Sequence, residues 1–199
     1  MIPIATEVYN TAVGFEAGLA ITTGEQNTLI GALAGDALTT GGSNVAVGYL
    51  ALSTEDGNGL NVAVGRSALQ TQNAGVDATN TGIGYNAGQA ITTGKHNTIV
   101  GGLGADNLTE GNENTIIGYN TTPATTGAEN IIVGSQSQNS STSVNTEYVI
   151  GRAANGSGTN TFTIGRGDTD VQINLDGSDT SWSATSDERL KDNINSLSV

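Results

Sequence analysis

The residues that could carry out chemistry in this chain are few and far apart. The chain has one histidine, His96, and no cysteine, which leaves no thiolate and no paired histidines for a metal ion. Asp168, Asp170 and Asp176 could bind a cation, but their spacing fits no EF-hand loop, and we interpret them as solvated acids of turns. No glycine-rich run ends in the Lys-Ser or Lys-Thr of a phosphate-binding loop. We therefore expect no cofactor, no metal ion and no enzyme that turns over a separate substrate.

The charge balance limits the partners that the chain can bind. Six basic residues stand against 19 acidic ones, for a formal net charge of −13, and the first basic residue is Arg66. A chain without a basic patch is a poor ligand for phosphates, so we expect no nucleic-acid partner. There is no long apolar run, and residues 1–10 lack a cationic start followed by an apolar stretch. We accordingly expect no membrane insertion and no secretory signal within this sequence.

A short repeat organises most of the chain. The pentapeptide Asn-x-x-(Val/Ile)-Gly occurs eight times at intervals of 17 residues, apart from one interval of 19 and one of 16. Two further copies without the Asn end at Gly151 and Gly165. When each unit is numbered from its Asn, position 4 is always Val or Ile and position 5 is always Gly. The eight Asn residues are Asn10, Asn27, Asn44, Asn61, Asn80, Asn97, Asn114 and Asn130.

This repeat predicts an all-β fold. A β-branched residue followed by Gly is typical of a short strand that ends in a turn. The chain contains 29 Gly, 28 Thr and 21 Asn among its 199 residues, and no helix of useful length fits between the recurrent glycines. The pattern therefore predicts a parallel β-solenoid, or β-roll, of about ten 17-residue rungs stacked about 4.8 Å apart.

The alternation of side chains within each strand predicts two unlike faces. Positions 2 and 4 point one way and position 3 points the other. We expect the Val and Ile of position 4 to fill a narrow interior, with position 2 on the same buried face. Position 3 is also small or apolar, as in Leu29, Ala46 and Ile132. A second apolar face needs a cover, so we infer an oligomer; the alternative is a wider monomeric solenoid whose position-3 row faces solvent.

Two further positions have a simple structural explanation. A stack of Asn side chains in register can form hydrogen bonds along the rod and satisfy the backbone of the turns. The Gly of position 5 is expected to supply a corner with positive φ that a β-carbon would obstruct. We therefore interpret both positions as structural and not as binding residues.

The repeat resembles a known family. Residues 44–51 and 61–68 are similar to the head repeats of YadA-like trimeric adhesins, which are left-handed parallel β-rolls that assemble as trimers. The resemblance covers roughly residues 10–165 and implies a left-handed homotrimer. Bacterial adhesins and phage fibres share this repeat, and the regular 17-residue period of this chain departs from the usual adhesin unit.

The sequence after residue 165 has a different character. The alternation of Val171, Ile173 and Leu175 before an Asp-Gly pair predicts a strand and a tight turn. Further on, residues 186–194 resemble the start of the endosialidase-type intramolecular chaperone found at the end of phage tail fibres and tailspikes. In that family the serine of this motif is the nucleophile, the lysine five residues later is its base, and the chain is cut just before the serine.

Carried over to this sequence, the resemblance implies that Ser186 is the nucleophile, Lys191 its base and the Thr185–Ser186 bond the cleavage site. A buried lysine with a lowered pKa can take the proton of a serine hydroxyl. The alternative is that Ser186 caps a solvated helix. Only residues 186–199 follow the site, too few to fold as a chaperone, so we expect no cleavage without the rest of that domain.

Three segments and three functional classes follow. Residues 1–165 would form the β-roll shaft, residues 166–185 a strand-and-turn tip, and residues 186–199 the start of the chaperone. The resemblances imply the shaft and tip of a homotrimeric phage tail fibre in the virion, which adsorbs to a bacterial surface receptor, either a glycan or an outer-membrane component.

Two alternatives remain. The first is the head of a bacterial trimeric autotransporter adhesin on the cell surface. The second is an ice-binding or other surface-binding solenoid, which the threonines at position 2 suggest. We expect that row to be buried beside position 4, which argues against a surface role. Its members are Thr11, Thr28, Thr81, Thr98 and Thr115.

Overall fold

Ten short strands stack in sequence order along the chain. The computed structural model describes residues 9–167 and 169–177, together with the backbone of residues 183–184. Strands β1 to β10 pair in parallel, each with the next, and enclose nine turns; β11 and β12 continue the same sheet. No helix occurs among the described residues. The strands are β1 (Thr11–Val13), β2 (Thr28–Ile30), β3 (Val45–Val47), β4 (Val62–Val64), β5 (Thr81–Ile83), β6 (Thr98–Val100), β7 (Thr115–Ile117), β8 (Ile131–Val133), β9 (Glu147–Arg152), β10 (Thr161–Arg166), β11 (Val171–Asn174) and β12 (Ser183–Ala184).

The strand register follows the sequence period. Leu29 of β2 pairs with Ala46 of β3, and Ala46 in turn pairs with Ala63 of β4, so equivalent positions of successive rungs lie side by side. The 19-residue rung keeps this register, because its extra residues lie in a turn and Ala63 still pairs with Gly82. The predicted parallel β-solenoid of 17-residue rungs is therefore confirmed.

The glycine of position 5 forms a corner with positive φ at nine of the ten parallel strands, as the sequence predicts, and Gly165 in β10 is the exception. Gly31 has a φ of 132°, a value that residues with a β-carbon rarely adopt. A β-carbon at this residue would lie 2.6 Å from the carbonyl oxygen of Gly48 in the next rung. The backbones of successive corners therefore stack too closely for any side chain.

The position-3 side chains line the interior, which corrects the predicted orientation of the strands. Leu29, Ala46 and Ile99 are fully buried, whereas Ile30 and Ile117 at position 4 are 40% and 41% exposed. The expectation that position 4 fills the interior was wrong, and so was the alternative in which position 3 faces solvent. In a three-residue strand only the central side chain points into the narrow interior, where it shares one buried cluster with the Ala of position 8 and the Leu or Ile of position 12.

The recurrent Asn residues form a buried ladder. The backbone N–H of Asn44 donates to Oδ1 of Asn27 at 2.9 Å, and Nδ2 of Asn27 donates to the carbonyl oxygen of Gly41 at 2.9 Å. Equivalent backbone-to-Oδ1 bonds join each Asn from Asn10 to Asn130 with the next. The predicted structural ladder is therefore confirmed, and it connects neighbouring rungs while it satisfies the backbone of the turns.

The direction of the chain reverses after the tenth strand. Strand β11 pairs antiparallel with β10, with Ile164 opposite Val171, and β12 pairs antiparallel with β11. The strand predicted from the alternation of Val171, Ile173 and Leu175 is therefore present, although it ends at Asn174. The antiparallel pair ends the stack of parallel rungs.

Candidate recognition surfaces

The outward side of strands β1 to β10 carries a row of side chains that are β-branched apart from Tyr148 and Phe162, and we call it the strand face. It consists of positions 2 and 4 of each rung. The position-4 residues that are exposed are Val13, Ile30, Ile83, Val100, Ile117, Ile150 and Ile164. A single exposed apolar side chain is ordinary, but a contiguous exposed apolar row marks an interaction surface.

The position-2 threonines also lie on the strand face. Thr98 is exposed and Thr28, Thr81 and Thr115 are partly exposed, beside the outward Val and Ile of position 4. The expectation that this row is buried was therefore wrong, for the same reason that the position-4 expectation was wrong. The strand face accordingly presents hydroxyl groups as well as methyl groups.

A second row of side chains follows the corner glycines, and we call it the aromatic row. It consists of position 6 of the first seven rungs, where an exposed ring recurs in every second rung: Phe15, Tyr49, Tyr85 and Tyr119. Between these rings the row carries Ala32, Arg66 and Gly102. Rings therefore alternate with residues that are either small or cationic.

Backbone hydrogen bonds fix the spacing of the aromatic row. The N–H of Asn86 donates to the carbonyl oxygen of Arg66 at 2.9 Å, and the N–H of Leu103 donates to that of Tyr85 at 2.7 Å. The same bond continues from Asn120 to Gly102 at 3.0 Å. Successive members of the row are thus one strand spacing apart, and successive rings leave the backbone about 9.6 Å apart.

Arg66 occupies the space between two of these rings. Its guanidinium carbon lies 5.8 Å from the centre of the Tyr49 ring and 5.5 Å from that of Tyr85. Nη1 of Arg66 also donates a hydrogen bond to the Tyr85 hydroxyl at 3.3 Å. Both distances to the rings lie within the range of a cation–π interaction. The aromatic row therefore already holds one organic cation between two aromatic walls.

The acidic residues in the described part of the chain form no cluster that could bind a cation. Burial raises the pKa of Glu55, against the opposing effect of hydrogen bonds from Asn58, and burial also raises the pKa of Asp36. These two carboxyl groups lie in different rungs. Within the described part of the chain, no group of three or more His, Cys, Asp or Glu side chains could hold a metal ion.

Of the remaining residues singled out from the sequence, some lie in the part of the chain that the structure describes and others lie outside it. His96 is exposed, and its Nδ1 contacts the Thr79 hydroxyl of the preceding rung. Asp170 anchors a turn, since its Oδ2 accepts a hydrogen bond from the N–H of Asn155 at 3.0 Å. The cleavage-site residues Thr185, Ser186 and Lys191 lie outside the described residues, as does Asp168.

Comparisons with protein-family models, with curated proteins and with solved structures found no match for this chain. The described residues also contain no helix long and apolar enough to span a membrane.

The aromatic row is the feature that the sequence analysis missed. Its signal is present in the repeat, because Phe15, Tyr49, Arg66, Tyr85 and Tyr119 each follow the corner glycine directly. An alignment of the rungs by that glycine places all five in one column. Column-by-column alignment beyond position 5 would have found them.

Proposed function

We propose that this chain forms the shaft of a homotrimeric fibre that attaches to a bacterial surface, as phage tail fibres do. The observation that carries the proposal is the strand face, a row of outward β-branched side chains that runs along all ten parallel strands. Parallel sheets are normally covered on both faces. A second and a third copy of the same chain offer a matching row at the same spacing.

The energetics favour association along the whole rod over local contact. Burial of the exposed part of one Ile or Val side chain contributes roughly 1 kcal/mol. Association itself costs about 4–15 kcal/mol, which a single rung cannot offset. Contacts repeated over nine turns on each chain can exceed that cost. Three copies, and not two, are proposed because of the resemblance of residues 44–51 and 61–68 to trimeric head repeats.

Light-scattering mass in solution tests the assembly. We expect about three times the 20.0 kDa of one chain. The variant Ile117→Lys places a charge on the strand face and should reduce that mass, because an unpaired charge is costly in a buried interface. Thr93→Lys is the matched control, since Thr93 is exposed in a turn away from the strands and should leave the mass unchanged.

A wild-type mass equal to one chain would contradict the trimer. It would then favour a second candidate function, binding of ice or another regular surface, for which the specific observation is the outward position of the threonines Thr28, Thr81 and Thr98. The same monomeric sample would be examined for thermal hysteresis. A trimeric sample without hysteresis removes this candidate.

We further propose that the chain belongs to a phage fibre and not to a bacterial trimeric adhesin, because of the motif at residues 186–194. In the proposed reaction, Lys191 takes the proton of Ser186, whose Oγ attacks the carbonyl carbon of Thr185. The peptide bond becomes an ester with release of the Ser186 amine, and water then hydrolyses the ester. Its products are two chains, and the proton that Lys191 received is returned to the amine.

A chain that carries a complete chaperone domain tests this step. The wild-type chain should appear as two fragments on a denaturing gel, and Ser186→Ala should remain one precursor, because alanine has no nucleophile. The conservative control Ser196→Ala should be cut like the wild type. Cleavage of Ser186→Ala at the wild-type rate would contradict the assignment and with it the main argument for a phage origin.

A further inference from the structure

We infer that the aromatic row binds organic cations, and that a guanidinium or quaternary ammonium group enters the space between Tyr85 and Tyr119 above Gly102. We call this space the Gly102 slot. Both residues are exposed to solvent in the chain, Tyr85 by 48% and Tyr119 by 57%. The two residues are separated by two rungs of the solenoid.

The neighbouring rungs show which chemistry such a slot accepts. Tyr49 and Tyr85 are also two rungs apart, and the space between them contains the Arg66 guanidinium at 5.8 and 5.5 Å from the ring centres. Arg66 therefore serves as an internal example of a bound cation. The Gly102 slot has the same construction, with a tyrosine on either side, but supplies no side chain of its own.

No backbone requirement explains why position 102 is a glycine. Gly101, its neighbour, has a φ of 137° and needs to be glycine, whereas Gly102 is not in that region. A β-carbon at Gly102 would lie 3.7 Å from Cδ2 of Tyr119 and 3.8 Å from the carbonyl oxygen of Tyr85, which are ordinary contact distances. Tyr119 thus forms a wall directly beside Gly102, and the backbone there tolerates a side chain.

Charge favours a cation over other ligands. The chain has a formal net charge of −13, which attracts cations to its surface. The electron-rich faces of two tyrosine rings add a local attraction that is stronger for weakly hydrated organic cations, such as quaternary ammonium groups, than for neutral molecules of the same shape. The two tyrosine rings and the charge of the chain therefore point to the same ligand class.

This inference deepens the proposed attachment to a surface, because it names the chemical group recognised there. It rests on the proposed function only where it assigns the bound cation to that surface. One exposed slot is expected to bind weakly. Three chains and a second open space, between Phe15 and Tyr49 above Ala32, would raise the avidity for a surface that carries many such groups.

Titration of the full chain with choline chloride, followed by the NMR signals of the tyrosine rings, tests the slot directly. N-acetylarginine amide serves as the guanidinium probe, and sodium chloride with the neutral isostere 3,3-dimethylbutan-1-ol serves as the control. We expect saturable binding of both cations in the millimolar range and none of the isostere. Tyr119→Leu should weaken binding of the cations about two- to fivefold, the effect of one ring.

Two variants that should change the number of open slots in opposite directions extend the test. Gly102→Arg should fill the slot with an internal cation and reduce the number of bound probe molecules, whereas Arg66→Gly should open a further slot and increase it. Thr93→Arg adds the same charge as Gly102→Arg on a distant turn and should bind like the wild type. Equal binding by wild type and Gly102→Arg, equal binding of the isostere, or no binding of either cation would overturn the inference.

The oligomeric mass separates this result from the proposed function. A monomer that binds the probes with these variant effects would retain the slot and contradict the trimer. A trimer that fails to bind them would retain the fibre and contradict the slot. If Tyr119→Leu or Gly102→Arg changes the mass, the aromatic row lies between chains and the inference is wrong.

Discussion

Two glycines of adjacent rungs illustrate how one residue type meets different requirements. Gly84 forms a corner with a φ of 135°, and a β-carbon there would lie 2.6 Å from the carbonyl carbon of Gly101. Gly102 has no such φ and no contact nearer than 3.7 Å to its added β-carbon. The recurrence of Gly at position 5 predicted the first kind from the sequence. The second kind is visible only when the neighbours of each glycine in space are known.

This difference predicts opposite results for the same substitution. Gly84→Ala should lower the stability by about 2 kcal/mol or more. The alanine would hold a strained backbone conformation, which costs about 1–3 kcal/mol, and its β-carbon would also collide with the next corner. Gly102→Ala should change stability by less than about 1 kcal/mol, because its β-carbon finds space. Thermal unfolding followed by circular dichroism measures both. Equal melting temperatures for the two variants would contradict the assigned role of the corner.

At the scale of the rung, the two rungs that begin at Asn27 and Asn44 keep the interior volume by exchange between two positions. Where position 3 is Leu29, position 9 is Gly35, and a β-carbon at Gly35 would lie 2.8 Å from Cδ2 of Leu29. In the next rung position 3 is Ala46 and position 9 is the buried Leu52. Close-packed interiors tolerate such exchanges when the total volume is conserved. The exchange identifies position 3 as an inward position.

That exchange also explains why the predicted orientation of the strands was wrong. The two-residue alternation fixes which positions share a face, but it does not decide which of two apolar faces is buried. Position 4 is uniformly Val or Ile, whereas position 3 varies from Gly82 to Ile99. A variable column fits an interior in which neighbouring side chains compensate, as Leu69 of the preceding rung does beside Gly82. A uniform column fits a flat, repeated outer surface.

Polar residues interrupt the interior column of position 12 in two consecutive rungs. Glu55 and Gln72 stand where Leu38 and Ile91 stand in the neighbouring rungs, and both are fully buried. Oε1 of Glu55 accepts hydrogen bonds from the backbone and side chain of Asn58, whereas its Oε2 has no partner. These two rungs also depart from the Thr-Thr-Gly turn. Their interior is therefore specified by local hydrogen bonds as well as by apolar packing.

The whole molecule behaves as a one-dimensional stack. Each strand from β2 to β9 pairs only with the strand before it and the strand after it, and the Asn ladder joins the same neighbours. Stability in such a fold is approximately a sum over rungs and over the interfaces between them. The repeat alone was enough to predict this architecture, its period and its strand positions. The proposed cover of the strand face involves other chains, which the repeat of one chain does not specify; for this the sequence offers only the resemblance to trimeric head repeats.

The one-dimensional architecture predicts that removal of a whole rung is less harmful than removal of half a rung. Deletion of residues 98–114 joins Asn97 to Thr115 and restores an intact Asn-x-x-Ile-Gly unit. Strand β5 would then pair with β7, which has the same Thr-x-Ile pattern that β5 has, and the backbone N–H of Asn130 would meet Oδ1 of Asn97. We expect a folded protein whose stability falls by only about 1–2 kcal/mol, or a few degrees of melting temperature.

Deletion of residues 98–106 removes fewer residues but should be far more damaging. It joins Asn97 to Asn107, so the rung loses its strand and its corner, and no inward residue remains to occupy position 3. The break lies in the middle of the stack and separates two groups of rungs that otherwise stabilise each other. Circular dichroism and thermal unfolding of both deletions decide the matter. A half-rung deletion as stable as the whole-rung deletion would mean that the rungs are not the units of stability.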